Sequence, residues 1–163
     1  MSSPLAKPID LAQLELTYLA FFVGSLANDW VQDELKRSGT GGMRQAHGYV
    51  IQHLLGGPRA IGELAGLLGV TQQAVSKSVA ELERAGMLES VASEDARVRR
   101  VRLTAAGERG VRHARSARRK LERRLERRCT SAELETARRV LVAALEELGG
   151  VDAVKRRRVR PAS

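Results

Sequence analysis

The stretch IGELAGLLGVTQQAVSKSVAEL, Ile61 to Leu82, and the change of period just after it constrain this chain more than any other feature. Leu64, Leu68, Val70, Val75, Val79 and Leu82 recur at helical spacing, so two short helices each turn an apolar face toward a common body. Ala65 is small where the two helices must cross. Gly69 stands at the break, where the turn needs a positive φ that glycine adopts without steric penalty. Thr71 follows as an N-cap whose hydroxyl can accept an orphan backbone N–H. Ser78 departs from the pattern, a hydroxyl where an apolar residue is common, and Val79 is expected to take over that packing. The period then drops to two. After a first strand at Met87 to Val91, Val98, Arg100 and Arg102 alternate with Arg99, Val101 and Leu103. The polar ASEDAR between these runs is a hairpin tip. Two helices joined by a tight turn and followed by a two-stranded hairpin make a winged helix-turn-helix.

Helices are predicted on both sides of this unit. Residues 9–37 carry Leu14, Tyr18, Phe21, Phe22, Leu26, Trp30 and Val31 at helical spacing, with Leu16, Leu19 and Val23 widening the stripe. A helix apolar on more than one face is covered on more than one side, and in a chain this short the second cover is expected from another subunit. SGTGG at 38–42 reads as a flexible break, and a second helix runs from Met43 to Leu55. From Thr104 to Arg128 the helical pattern spans about 37 Å at 1.5 Å per residue. Its narrow stripe of Val111, Ala114, Ala117, Leu121 and Leu125 suits packing between subunits. TSAE at 130–133 is a capping box opening a last helix, with Leu134, Val140, Leu141, Leu145 and Leu148 expected inward. The fold class is therefore mainly α with a small β-hairpin wing: one domain over 1–163, with a DNA-binding lobe at 43–103, dimerisation helices at 9–37 and 104–148, and a basic tail at 151–163 expected to be disordered.

The second helix of the helix-turn-helix has a distinctive polar face. Thr71, Gln72, Gln73, Ser76 and Lys77 supply hydroxyls, amides and a cation, and no carboxylate appears until Glu81. A recognition helix enters the major groove with its N-terminal residues against base edges and phosphates. Glutamine amides pair bidentately with adenine and lysine with guanine, while the Ser76 and Thr71 hydroxyls suit phosphates. A solvated helix face is the plain alternative for either glutamine. Arg97 sits at the hairpin tip, where an extended cation can enter the narrow minor groove. Asp95 either pairs with an arginine to stiffen the tip or is a simple turn aspartate. Arg99, Arg100 and Arg102 reach either phosphates or the protein's own acids.

Charge agrees with a polyanionic partner. The net charge is +9, and residues 97–128 hold 14 of the 28 lysines and arginines against only three acids, Glu108, Glu122 and Glu126. The five aromatics, Tyr18, Phe21, Phe22, Trp30 and Tyr49, all lie in the first third.

Three stretches, ELAGLLGVTQQAVSKSVAELERAGMLE, the wing DAR at 95–97 and VRLTAAG at 101–107, resemble the MarR (multiple antibiotic resistance regulator) family of transcription factors. Element order agrees over residues 10–148. The resemblance implies a homodimer with intertwined terminal helices, two recognition helices in successive major grooves of a pseudo-palindromic double-stranded operator, and wings in the minor groove. It further implies repression relieved by a small ligand, phenolic or otherwise aromatic, bound between the dimerisation helices and the DNA-binding lobe. Tyr18, Phe22, Trp30 and His47 are the candidate contacts, although a core role fits Tyr18, Phe21 and Phe22 better and a surface or helix-N-terminal polar role fits His47 better. Some relatives sense oxidants through a first-helix cysteine; the single cysteine here, Cys129, lies between the last two helices and is read as a packed or incidental thiol.

Other classes fit less well. No phosphate-binding glycine motif, nucleophile elbow or zinc-protease signature is present, so no catalytic residue, metal or cofactor is expected. His47 and His53 are six residues apart and point about 240° away from each other on a helix, which does not suit a shared metal. The longest apolar stretch, YLAFFVGSLA, is too short to span a bilayer, and a cytoplasmic protein without a membrane partner is expected. A non-specific, architectural nucleic-acid-binding protein is the alternative. It fits the charge but leaves the recognition-helix face and wing without a purpose.

Overall fold

The computed structural model describes residues 9–92, 95 and 97–158. A 3₁₀ turn at Leu11–Gln13 leads into α1 (Leu16–Arg37), then α2 (Gln45–Leu54), β1 (Arg59–Ala60), α3 (Ile61–Leu68), α4 (Gln72–Arg84), β2 (Leu88–Val91), β3 (Arg100–Leu103), α5 (Ala105–Glu126), α6 (Ser131–Glu147) and α7 (Val151–Lys155). The three strands form one antiparallel sheet in the order β1-β3-β2. In its register Arg59 faces Val101, and Glu89 faces Arg102.

The predicted local signals hold at the winged helix. Gly69 ends α3 at φ 68°, and Thr71 caps α4 by accepting the Ala74 N–H at 3.2 Å. Val79 is fully buried and takes over the packing that half-buried Ser78 leaves. Leu64, Leu68, Val75, Val79 and Leu82 meet Leu88 and Val101 of the sheet and Leu54 of α2 in one core. That core continues through Met87 to Val31 and Leu35 of α1 and Val111 and Ala117 of α5. Burial of these side chains, each about 1.5–3 kcal/mol, fixes the lobe against the helices that frame it.

Five expectations need correction. The stripe Val111, Ala114, Ala117 packs on α1 of the same chain, because α1 lies directly against α5, and only Leu125 at its far end is exposed. Trp30 Nε1 donates to the Ala117 carbonyl at 3.4 Å, the Arg37 and Arg124 guanidinium groups lie over its ring, and Lys120 reaches Glu34 at 2.7 Å. The Lys120 hydrogen bond, helped by the Arg37 charge, holds the Glu34 carboxyl below its ordinary pKa. On α6 and at its C-cap, Val140, Leu141 and Leu148 are exposed rather than inward, since no element among the described residues covers them. SGTGG is not an open link: Thr40 is buried, and its hydroxyl shares hydrogen bonds with Ser38 Oγ at 2.8 Å and His113 Nδ1 of α5 at 3.1 Å. The first helix begins at Leu16 rather than residue 9, after a turn capped by Asp10. Part of the basic tail, Val151–Lys155, is helical, because Gly149 at φ 64° reverses the chain and Ala153 is buried. Residues 159–163 lie outside the described residues.

The capping box forms as read: Thr130 Oγ1 accepts from Glu133 N at 3.3 Å and Glu133 Oε2 accepts from Thr130 N at 2.7 Å. The Thr130 N–H, and second the Thr130 hydroxyl, which donates to the same Oε2 at 2.8 Å, hold the Glu133 carboxyl below its ordinary pKa.

Candidate nucleic-acid interface

The helix-turn-helix leaves the first two turns of α4 uncovered. Val75, Val79 and Leu82 turn inward, which rotates Gln72, Gln73 and Lys77 outward into solvent with Thr71 ahead of them. Ser76 is half-buried on the side toward the wing. Neither glutamine amide nor the Lys77 ammonium has a polar side-chain partner among the described residues. A polar row left without internal partners can donate and accept outward at no cost to the fold.

The wing stands beside this row. Gln72, Ser76, Arg97 and Arg99 line one open cleft, with Ala60, Ile61 and Gly62 as its floor. Asp95 Oδ1 accepts the Arg97 N–H at 2.9 Å, which is the turn-aspartate reading, and among the described residues Asp95 makes no ion pair with an arginine side chain. Ser93, Glu94 and Ala96 of the tip lie outside the described residues. The Arg97 side chain is exposed, with no ion pair among the described residues.

The remaining wing arginines are engaged by the protein's own acids. Arg99 binds Glu83 and donates to Ser90 Oγ at 3.3 Å, tying the wing to the end of α4. Arg100 donates to the Pro58 carbonyl at 3.1 Å with Glu63 at 4.0 Å, and Arg102 meets Glu89 at 2.7 Å across the sheet. Arg99 and Arg100 therefore hold the wing in position, and Arg97 alone of the three projects from the tip.

The four candidate ligand contacts do not converge. Tyr18 and Phe22 stack edge to face at 4.9 Å on the exposed start of α1, and Trp30 is two turns further along against α5. His47 is 2% exposed, inside the lobe. Its Nδ1 accepts the Arg44 N–H at 3.1 Å, so Nε2 carries the proton and donates to Glu81 Oε2 of α4 at 2.9 Å. The Arg44 guanidinium lies on the same carboxylate. Burial first, and the Arg44 charge second, hold the His47 pKa below its ordinary 6.5. The folded state thus prefers the neutral ring, and its stabilisation is complete above the unfolded-state pKa and is lost as pH falls below it. Urea unfolding between pH 8 and pH 5 is expected to show the wild type losing stability relative to His47→Gln across that window. Parallel curves would remove His47 from the account.

What these three aromatics and the histidine do not form, three helices do. Val31 and Leu35 of α1, Gly48 and Ile51 of α2, and Val111 and Ala114 of α5 wall an apolar cleft, rimmed by Arg44, Arg115 and Arg118. Sequence reasoning missed it because its lining is drawn from three distant segments with no aromatic signal.

The winged helix-turn-helix and its long framing helices recur as a fold in solved proteins. Residues 41–97 match the profile of the MarR family. The resemblance drawn from the helix-turn-helix and DAR stretches is therefore borne out over that segment, and RLTAAG at 102–107 lies beyond it. The fold is that of MarR-family transcription regulators over most of the chain. It is similar to RV1404 from Mycobacterium tuberculosis at 21% identity, covering 88% of this chain and 97% of that one, TM-score 0.64. It is similar to MepR of S. aureus in a MepR–DNA complex at 19% identity, covering 83% and 99%, TM-score 0.62. Likewise it is similar to the oxidized form of MarR from E. coli at 19% identity, covering 83% and 99%, TM-score 0.60. No curated protein sequence matches the chain. Among the described residues no helix is long and apolar enough to cross a membrane.

Proposed function

We propose that this chain is a homodimeric, sequence-specific double-stranded-DNA-binding transcription regulator of MarR type that acts as a ligand-responsive repressor. The observation that carries the reading is the unpartnered row Gln72, Gln73 and Lys77 set beside an exposed Arg97, with the wing's other arginines already engaged. Fixed in this way, α4 suits a major groove and Arg97 the adjacent minor groove. The solved MepR–DNA complex of the same fold supports it. In this reading residues 43–103 read the DNA, and helices within 9–37 and 104–148 join the two copies. An architectural protein would need no such ordered wing. Selection of bound fragments from random DNA tests the reading: a pseudo-palindrome with half-sites about one helical turn apart is expected, and recovery of no common sequence would overturn it.

The dimer follows from uncovered apolar surface. Phe21 is 65% exposed, Leu26 67% and Leu148 73%, on α1 and just beyond α6, and nothing among the described residues of one chain covers them. Each such side chain gains about 1.5–3 kcal/mol when buried, so a second copy is strongly favoured. Analytical ultracentrifugation is expected to find only dimer at micromolar concentration; a folded monomer there would contradict this.

For the effector, the cleft between α1, α2 and α5 replaces the Tyr18, Phe22, Trp30 and His47 set as the place for a small aromatic or otherwise apolar molecule. It has apolar walls and it borders both the dimerisation helices and the lobe. Binding there shifts operator affinity only through differential affinity for the two lobe placements.

A further inference from the structure

We propose that Arg44 carries the state of the α1–α2–α5 cleft to the recognition helix, acting as a positioning residue through Glu81. The inference rests on the reading of α4 as the DNA-reading helix.

Arg44 belongs to two environments at once. It stands at the N-terminal edge of α2 on the rim of the cleft, and its guanidinium lies on the Glu81 carboxylate of α4. Glu81 is on the same helix, about two turns beyond Gln73 and one turn beyond Lys77. Among the described residues its carboxylate is gripped from the α2 end by two groups, the Arg44 guanidinium and the buried His47 Nε2–H at 2.9 Å. His47 is fixed by burial and by the Arg44 N–H on its other nitrogen. Arg44 is different: its side chain is 65% exposed, against 17% for Glu81, so it can exchange partners without unfolding anything.

An anionic group placed in the cleft competes with Glu81 for that guanidinium. When Arg44 turns to the cleft, Glu81 keeps one of its two anchors and an uncompensated negative charge on the helix that approaches phosphates. Both changes weaken operator binding. An uncharged occupant of equal size leaves the Arg44–Glu81 pair in place, so Arg44 makes the reader responsive to charge in the cleft, not to filling alone.

Gly48 allows the test without an identified effector. It lies one helical turn from Arg44 on the cleft wall, and a Cβ built on it meets no atom within 4 Å. In a Cys129→Ser background, Gly48→Cys offers a single thiol. Iodoacetate converts it to a carboxymethyl thioether with loss of iodide, and iodoacetamide gives the neutral carbamidomethyl group of nearly the same size. Operator affinity of the two labelled full-length dimers is then measured with the selected operator, along with their melting temperatures. The carboxymethyl protein is expected to bind at least fivefold more weakly than the carbamidomethyl protein, with equal melting temperatures, and the ratio is expected to fall to near one when Arg44→Gln is added. Equal affinities for the two labels would overturn the proposal. So would a charge effect that persists undiminished with Arg44→Gln, because repulsion between the added charge and DNA needs no Arg44. Failure of the unlabelled protein to select any operator would instead sink the DNA-reading function itself, which keeps the two failures apart.

Discussion

Gly107→Ala is expected to destabilise the protein by about 3 kcal/mol, the upper end of the cost of over-packing a well-filled interior. Gly107 lies in the first turn of α5, where a Cβ would land on the Met87 carbonyl oxygen and crowd Leu103 Cδ2. That carbonyl already accepts the Thr104 N–H at 3.0 Å, so it cannot retreat without opening the joint between wing and helix. Thr104 completes the same joint: its hydroxyl donates to the Gly86 carbonyl at 2.6 Å and accepts the Gly107 N–H at 3.0 Å. Exchanging glycine for alanine inside a helix is ordinarily worth up to about 1 kcal/mol of gain, and here the clash with fixed backbone outweighs it. Gly48→Ala is the contrasting case, in open space on α2, and is expected to be neutral or slightly stabilising. Urea denaturation of the two variants decides the matter. Equal midpoints would mean that the α5 joint yields more readily than its geometry implies.

Alanine at Gln73 or Lys77 is expected to weaken operator binding by about 1–3 kcal/mol each, the range for loss of a good base contact. Both side chains are exposed and support no core, so thermal stability is expected to remain unchanged. Gln73→Ala should in addition relax base preference at one position of each half-site. Arg97→Ala is expected to weaken binding to all sequences alike and to flatten the salt dependence, the behaviour of a cation lost from the backbone or minor groove. Thr71 is a poorer probe, because its hydroxyl also caps α4 and its removal costs about 1 kcal/mol of fold stability. Arg99→Ala and Arg100→Ala would likewise loosen the wing, since both arginines are tied to the protein itself. Wild-type affinity in the Gln73, Lys77 and Arg97 variants together would mean that DNA is read elsewhere.

The parts of the fold legible in the sequence are those set by local chemistry. The positive φ at Gly69, the Thr71 and Thr130 caps and the two-residue period of β3 each follow from residues within a few positions of one another. β1 was not legible, because two residues carry no period and the strand exists only by pairing Arg59 and Ala60 with the edge of β3. The fate of the apolar stripes was not legible either. Periodicity tells that Val111 and Ala117 will be covered, and it is silent on whether α1 of the same chain or a second copy covers them. His47 illustrates the same limit at the candidate site. A lone histidine near aromatic segments suggests a ligand contact, whereas its role as a buried link to Glu81 depends on a residue 34 positions away. For Arg99, the sequence left phosphate and protein acid as equal partners, and the position of Glu83 at the end of α4 decided for the acid.

The most direct test of the account is a competition between the selected operator and a scrambled duplex of the same length and base composition, at one fixed salt concentration near physiological. A sequence-reading regulator is expected to prefer the operator by about a thousandfold or more, with the preference reduced in Gln73→Ala. A ratio close to one, unaltered by that substitution, would contradict sequence-specific reading by α4 and leave a basic protein that coats nucleic acid.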